Sequence, residues 1–170
     1  MASILKTAHA QGIRQMPNPH GSEIVHVTLE YSLAAALVVN DVIHMGDLPE
    51  DCVPVDAVLD TDDLDTNVTP LITLSLGVLV AALTSIDTGA TSGGAAWISA
   101  STVAQAGGMV RPTTNALWRT TVRKSTPSGS TPATDQLRSI GVHVAAAPAT
   151  GTTTGKVRVH LSYRAAQYGI

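Results

Sequence analysis

Phenylalanine is absent from this 170-residue chain, aromatic residues make up only 3% of it, and there is a single cysteine. A core must therefore be assembled from Val, Leu, Ile and Ala around Trp97 and Trp118. The lone Cys52 excludes an intramolecular disulfide, and with it a small secreted scaffold held by cross-links. It opens an apolar strand-like run with no His beside it in sequence, so packing rather than nucleophilic attack is its expected role. No continuous apolar segment follows Lys6, so no secretory signal is expected. The apolar run 70–86 is broken by Thr73, Ser75 and Gly77 and falls short of the roughly 20 residues that a membrane helix needs. A buried strand followed by a second strand or a loop accounts for it, and no membrane partner is expected. With a pI of 6.0 and few aromatics, the chain also lacks the basic, stacking footprint of a nucleic-acid binder.

Catalytic patterns are missing as well. The histidines at 9, 20, 26, 44, 143 and 160 form no H-x-H, H-E-x-x-H or zinc-finger spacing. His143 and His160 can face each other only if their strands are neighbours, and solvated surface positions are the simpler expectation. The glycines of 89–94 lack the Lys-Ser/Thr of a phosphate loop, and no G-x-S-x-G marks a serine nucleophile. The acidic run D-T-D-D-L-D-T at 60–66 offers carboxylates to calcium but lacks the turn glycine and terminal Glu of an EF-hand. Asx-type turns explain it more simply. The sequence therefore assigns no catalytic, cofactor-binding or metal residues, no cofactor, and no enzyme activity.

What the chain does contain is alternation. Val157, Val159, Leu161 and Tyr163 alternate with Arg158, His160, Ser162 and Arg164, and Ile140, Val142, Val144 and Ala146 repeat the pattern one run earlier. Val53, Val55, Ala57 and Leu59 share one face of an extended segment, with Asp56 and Asp60 on the other. Such runs predict strands at about 24–31, 36–45, 52–60, 70–80, 95–104, 115–124, 139–146 and 156–164, the fifth with a short helix possible over 99–106. The loops 86–94, 125–135 and 147–155 are rich in Gly, Ser, Thr and Pro and read as surface connections. About eight strands with long connections, and no Cys-Trp-Cys pattern, favour an all-β antiparallel sandwich of jelly-roll type over an immunoglobulin-like one. Residues 1–22, broken by Gly12, Pro17, Pro19 and Gly21, read as an extended N-terminal arm, and 23–170 as one jelly-roll domain.

Charge is segregated along the chain. Nine acids and no Lys or Arg lie between Asp41 and Asp65, whereas eight bases face Asp135 alone from Arg111 onward. Two outcomes are open: the patches meet on different molecules, or they neutralise each other within one fold.

Between Asn40 and Gly77 the order N-D-V-I, L-P, V-P-V-D, D-x-D-D-L-D-T and I-T-L-x-L-G, followed by A-G-G-x-V-R at 106–111, resembles capsid cement or head decoration proteins of tailed bacteriophages. That resemblance implies a structural virion protein, made in the host bacterial cytoplasm and placed on the capsid exterior. There it would bridge major capsid subunits, as a homodimer or homotrimer, against the pressure of packaged DNA. A receptor- or glycan-binding module on the virion surface or tail is the alternative. It would need exposed aromatics, and Trp97 and Trp118 both fall in strand-like runs expected to pack inside.

Overall fold

The structure, a computed structural model, describes residues 2–21, 23–124 and 135–166. Among them are nine strands: β1 Ile4–Lys6, β2 Ile24–Ser32, β3 Val42–Asp47, β4 Cys52–Thr61, β5 Thr73–Val78, β6 Ile98–Ser101, β7 Gly108–Val110, β8 Ser139–Ala146 and β9 Lys156–Ala165. A 3-10 turn, Val103–Gln105, and one short helix, α1 Ala116–Arg119, complete the set. The strands form two sheets, ordered β1-β3-β8-β5-β6 and β2-β9-β4-β7. The antiparallel pairs are nested: β2 with β9, β3 with β8, β4 with β7 and β5 with β6. One long hairpin has been rolled so that successive pairs fall in alternate sheets, which is the jelly roll expected from the strand count and long connections.

The rolled hairpin encloses one core, in which Val157, Val159, Leu161 and Tyr163 of β9 meet Val142, Val144, Leu74 and Leu76 of the facing sheet, all buried. Trp97 is fully buried and donates its indole N–H to Thr120 Oγ1 at 3.0 Å. The outer face of the five-stranded sheet is covered too. Residues 79–97 fold over it where Gly77 and Gly141 sit opposite each other across β5 and β8. A Cβ on Gly141 would lie 2.5–2.8 Å from the Leu79 side chain, and one on Gly77 would lie 3.1 Å from Ile86 Cγ2. Residues 7–21 instead close the β3 edge of the core, where Gly46, opposite core-facing Ile140, lies against His9, Met16 and Leu29. β1 adds to the sheet edge in parallel with β3, and the Tyr163 hydroxyl donates to the Pro17 carbonyl. Among the described residues, those of β2 on the outer face of the four-stranded sheet, His26, Thr28 and Glu30, are exposed.

Several expectations are corrected. The stretch 115–124 is not a strand: 116–119 form a helical turn in which the consecutive Ala116 and Leu117 are both buried. Trp118 is consequently turned outward and is 65% exposed. The segment 36–41 is a loop, because Asn40 takes φ of 67° and the Asp41 carboxylate caps the Val38 N–H. β4 carries a bulge at Val55: Pro54 opposes Tyr163 and Asp56 opposes Ser162. The extra residue shifts the alternation, so Cys52 and Pro54 are buried with Ala57 and Leu59, while Val53 and Val55 are only half-buried. β7, a three-residue strand entered through Gly107 and Gly108 at positive φ, was too short to show in the pattern. Most of the 125–135 loop lies outside the described residues.

Candidate interaction surface

The rolled topology gathers the connections 33–41, 62–72, 102–107 and 147–155 at one end of the sandwich. Backbone bonds tie them together: Leu33 N to Gly155 O at 2.9 Å, Leu64 N to Ala104 O at 2.9 Å and Thr66 N to Thr150 O at 3.0 Å. Within these loops, 33–40, 66–72, 102–107 and 147–155 hold no charged residue. Val68 is fully exposed, Leu71 is 57% exposed, and Val38, Val39 and Ala34–Ala36 are exposed beside them. A cleft of about 250 Å³, lined in part by Ser3, Leu5, Tyr31 and Leu37, adjoins this surface.

Asp62 and exposed Asp63 are the charges that the 62–72 connection presents, whereas two other carboxylates, Asp41 and Asp65, are buried and shape the end from within. Asp65 Oδ1 accepts the N–H of Thr150 at 2.8 Å and of Asn67 at 3.4 Å, and its Oδ2 accepts those of Leu71 at 2.7 Å, Ala149 at 2.8 Å and Ile72 at 3.2 Å. Burial works to raise the Asp65 carboxyl, but these backbone donors outweigh it and hold the group well below the ordinary carboxylate range. Asp41 ties fewer strands of chain, accepting from Ser3 N and Val38 N at 2.6 and 2.9 Å. Asp63 and Asn67 each cap the N–H two residues on, so the acidic run is a series of Asx turns. Asp65, with both oxygens taken by N–H donors, is oriented away from ligating a cation. Among the described residues, no three His, Cys, Asp or Glu side chains stand close enough together to hold a metal ion.

The opposite end and the outer face of the four-stranded sheet are charged but internally paired. Arg158 reaches Glu30 at 3.1 Å, Asp62 at 3.2 Å and Asp60 at 3.3 Å, and Lys156 reaches Glu30 at 2.8 Å. Arg111 pairs with Asp56 at 2.8 Å and Arg123 with Glu50 at 3.2 Å. The acidic and basic halves of the sequence therefore meet within one molecule. Buried Arg138 is held by Asp135 and by the carbonyls of Thr121, Val122 and Gln136.

His143 and His160 lie in different sheets and do not face each other. His160 bonds Thr28 Oγ1 at 3.0 Å on the outer face of the four-stranded sheet, and burial holds the partly buried His143 imidazole below its ordinary value. Cys52 is buried, and desolvation together with the Asp51 charge pushes its thiol up to about 11, the reverse of an activated nucleophile. Exposed Trp118 donates its indole N–H to the carbonyl of the bulged Val55 at 3.0 Å. No sequence signal marked either the neutral end or this tryptophan, because both depend on which loops the fold brings together.

No protein-family model and no curated protein matches the chain. Two solved structures do. A chain in the capsid of Ralstonia phage GP4 is 36% identical, with 95% of this chain and 97% of that chain covered at a TM-score of 0.76. A chain in the capsid asymmetric unit of cyanophage Pam1 is 28% identical, with 88% and 91% covered at a TM-score of 0.59.

Proposed function

The chain belongs to the phage capsid proteins, and from that membership we propose that it is a cement protein, bound to the outside of the shell and bridging neighbouring major capsid subunits. The observation that carries this reading is the sparsely charged, apolar end anchored by Asp65. It is a preorganised surface whose loops need little further ordering on docking. Repeated over a lattice, many weak contacts of this kind add avidity, and binding to the assembled shell but not to free subunits stabilises the shell by linkage. The net charge of -3 supports the exterior position, since a lining against packaged DNA would face a polyanion of like sign.

Co-sedimentation of the purified protein with empty capsid shells tests the reading. Wild type is expected to pellet with shells and to leave free subunits unbound. A Val68→Asp/Leu71→Asp variant should keep its melting temperature and lose roughly tenfold or more in affinity, because it buries two carboxylates against an apolar partner. Wild type that stays in the supernatant removes the cement assignment. Full binding by the variant removes the neutral end as the contact.

Exposed Trp118 favours a second reading, a receptor- or glycan-binding module, since it is the outward aromatic such a site needs. Binding to host-cell polysaccharide that is lost in Trp118→Ala, without shell binding, would select it.

A further inference from the structure

We propose that Trp118, with Asp56 and Arg111 beside it, is a contact site for an uncharged polysaccharide built of hexopyranose rings with equatorial hydroxyls. The site lies on the half of the four-stranded sheet away from the sparsely charged end. Val55 is near the start of β4, whose far end leads into 62–72, while Arg111 and α1 follow β7, which begins after 102–107. A chain docked on a shell by the sparsely charged end therefore keeps Trp118 pointing away from the shell. The inference deepens the sugar-binding reading of Trp118, on which it rests, by naming the sugar class and the other contacts. It also places sugar binding and shell attachment at opposite ends of one molecule.

Trp118 is 65% exposed, and its one polar group is already engaged: the indole N–H donates to the Val55 carbonyl at 3.0 Å. What remains outward is ring carbon. The electron-rich face of such a ring attracts the C–H face of a sugar whose hydroxyls are equatorial, and an anchored ring loses little freedom on binding. The bulge that frees the Val55 carbonyl also sets the next residue, Asp56, opposite Ser162 on the outer face. Asp56 Oδ2 accepts from Arg111 at 2.8 Å, and Oδ1 accepts the N–H of Ala57 at 2.9 Å. The Arg111 side chain is 71% exposed, so donors of its guanidinium stand open beside a carboxylate acceptor. Together they match neighbouring sugar hydroxyls, each of which both donates and accepts. As a unit the pair is neutral, so an anionic sugar would meet the Asp56 charge. The polar row continues across the sheet, where Ser162 stands opposite His26 and their side chains bond at 2.7 Å. With strands about 4.8 Å apart, the row from β4 to β2 spans about 10 Å, room for more than one ring. Carboxylates are depleted at the core of protein–protein interfaces, and here Asp56 adjoins the anchor of the ring. Chemistry thus picks a neutral sugar polymer as the occupant.

Native electrophoresis of the full chain through gels containing laminarin or hydroxyethylcellulose, both uncharged β-glucans, tests this, with dextran sulfate as the anionic comparison. A glucan should slow wild type, and dextran sulfate should not. Because Trp97 is fully buried, iodide quenching of fluorescence reads Trp118, and the retarding glucan should shield it. Trp118→Ala should weaken binding by about tenfold or more, Trp118→Phe should keep part of it, and Asp56→Asn should weaken it severalfold. All three should keep the circular dichroism spectrum of wild type and its co-sedimentation with shells. No retardation by either glucan overturns the proposal, as does full retardation of Trp118→Ala or a preference for dextran sulfate. Host polysaccharide bound through Trp118, with neither glucan bound, overturns the sugar class named here and leaves the broader sugar reading standing. Loss of shell binding in Trp118→Ala would make the ring a protein contact and overturn both.

Discussion

Asp65 is the residue on which the neutral end depends, because it satisfies five backbone N–H groups from two loops that share no strand ladder. Its folded carboxyl titrates below the ordinary carboxylate value near 3.9. The stabilisation is therefore fully present above about pH 4–5 and is lost as pH falls through the lower, folded value. Asp65→Asn keeps one carbonyl acceptor but sets an amide N–H₂ against backbone donors. It should melt several degrees below wild type at pH 7, with the gap closing toward pH 2. Thermal melts across that range check this, and a gap that widens in acid would show that the carboxylate is not the stabilising form.

At the scale of elements, the decisive contact is the seating of the 79–97 connection on β5 and β8. Two facing glycines make room for it, and the space at Gly141 is already filled by Leu79. Gly141→Ala forces either the leucine or the strand to move, at a cost of about 1–3 kcal/mol. Leu79→Ala in the same chain should recover part of that loss, since it vacates the space the new methyl needs, although it leaves a cavity of its own. Denaturant unfolding of the single and double variants measures the coupling, and additive losses would mean that the loop does not press on Gly141. The bulge in β4 is a feature of the same scale. One extra residue turns Val55 partly outward and frees its carbonyl for Trp118, so a local irregularity positions an aromatic on the surface.

The whole molecule is polarised. Its charges pair with one another on the outer face of the four-stranded sheet and at one end, and its uncharged residues are gathered at the other. Arg158 is the hub of the paired region, with Glu30, Asp60 and Asp62 around it. Charge reversal there should act on the fold of a single chain rather than on contacts between molecules. Arg158→Glu places a fourth carboxylate among three and should destabilise by about 1–2 kcal/mol at low salt. Arg164→Glu, away from that network, should cost about 0.5 kcal/mol or less. The difference should shrink in 1 M salt, where the Debye length is about 3 Å. Equal effects of the two variants would mean that the network contributes nothing.

Much of the architecture was determined by the sequence alone, because burial on one face of a strand imposes a period of two that any reader of β8 and β9 can see. The all-β sandwich, the core residues of β8 and β9 and the Asx turns around Asp65 follow from such local rules. Only the tertiary structure decided the rest, since each depends on partners distant in sequence. The bulge that shifts the phase of β4 is defined by its pairing with β9. Leu117 enters the core and Trp118 is turned out because 116–119 form a helical turn that buries Ala116 and Leu117 on one side. The acids of 41–65 find the bases from Arg111 onward through the nested pairing of strands, and four sparsely charged loops become one surface because the rolled hairpin brings its alternate turns to the same end.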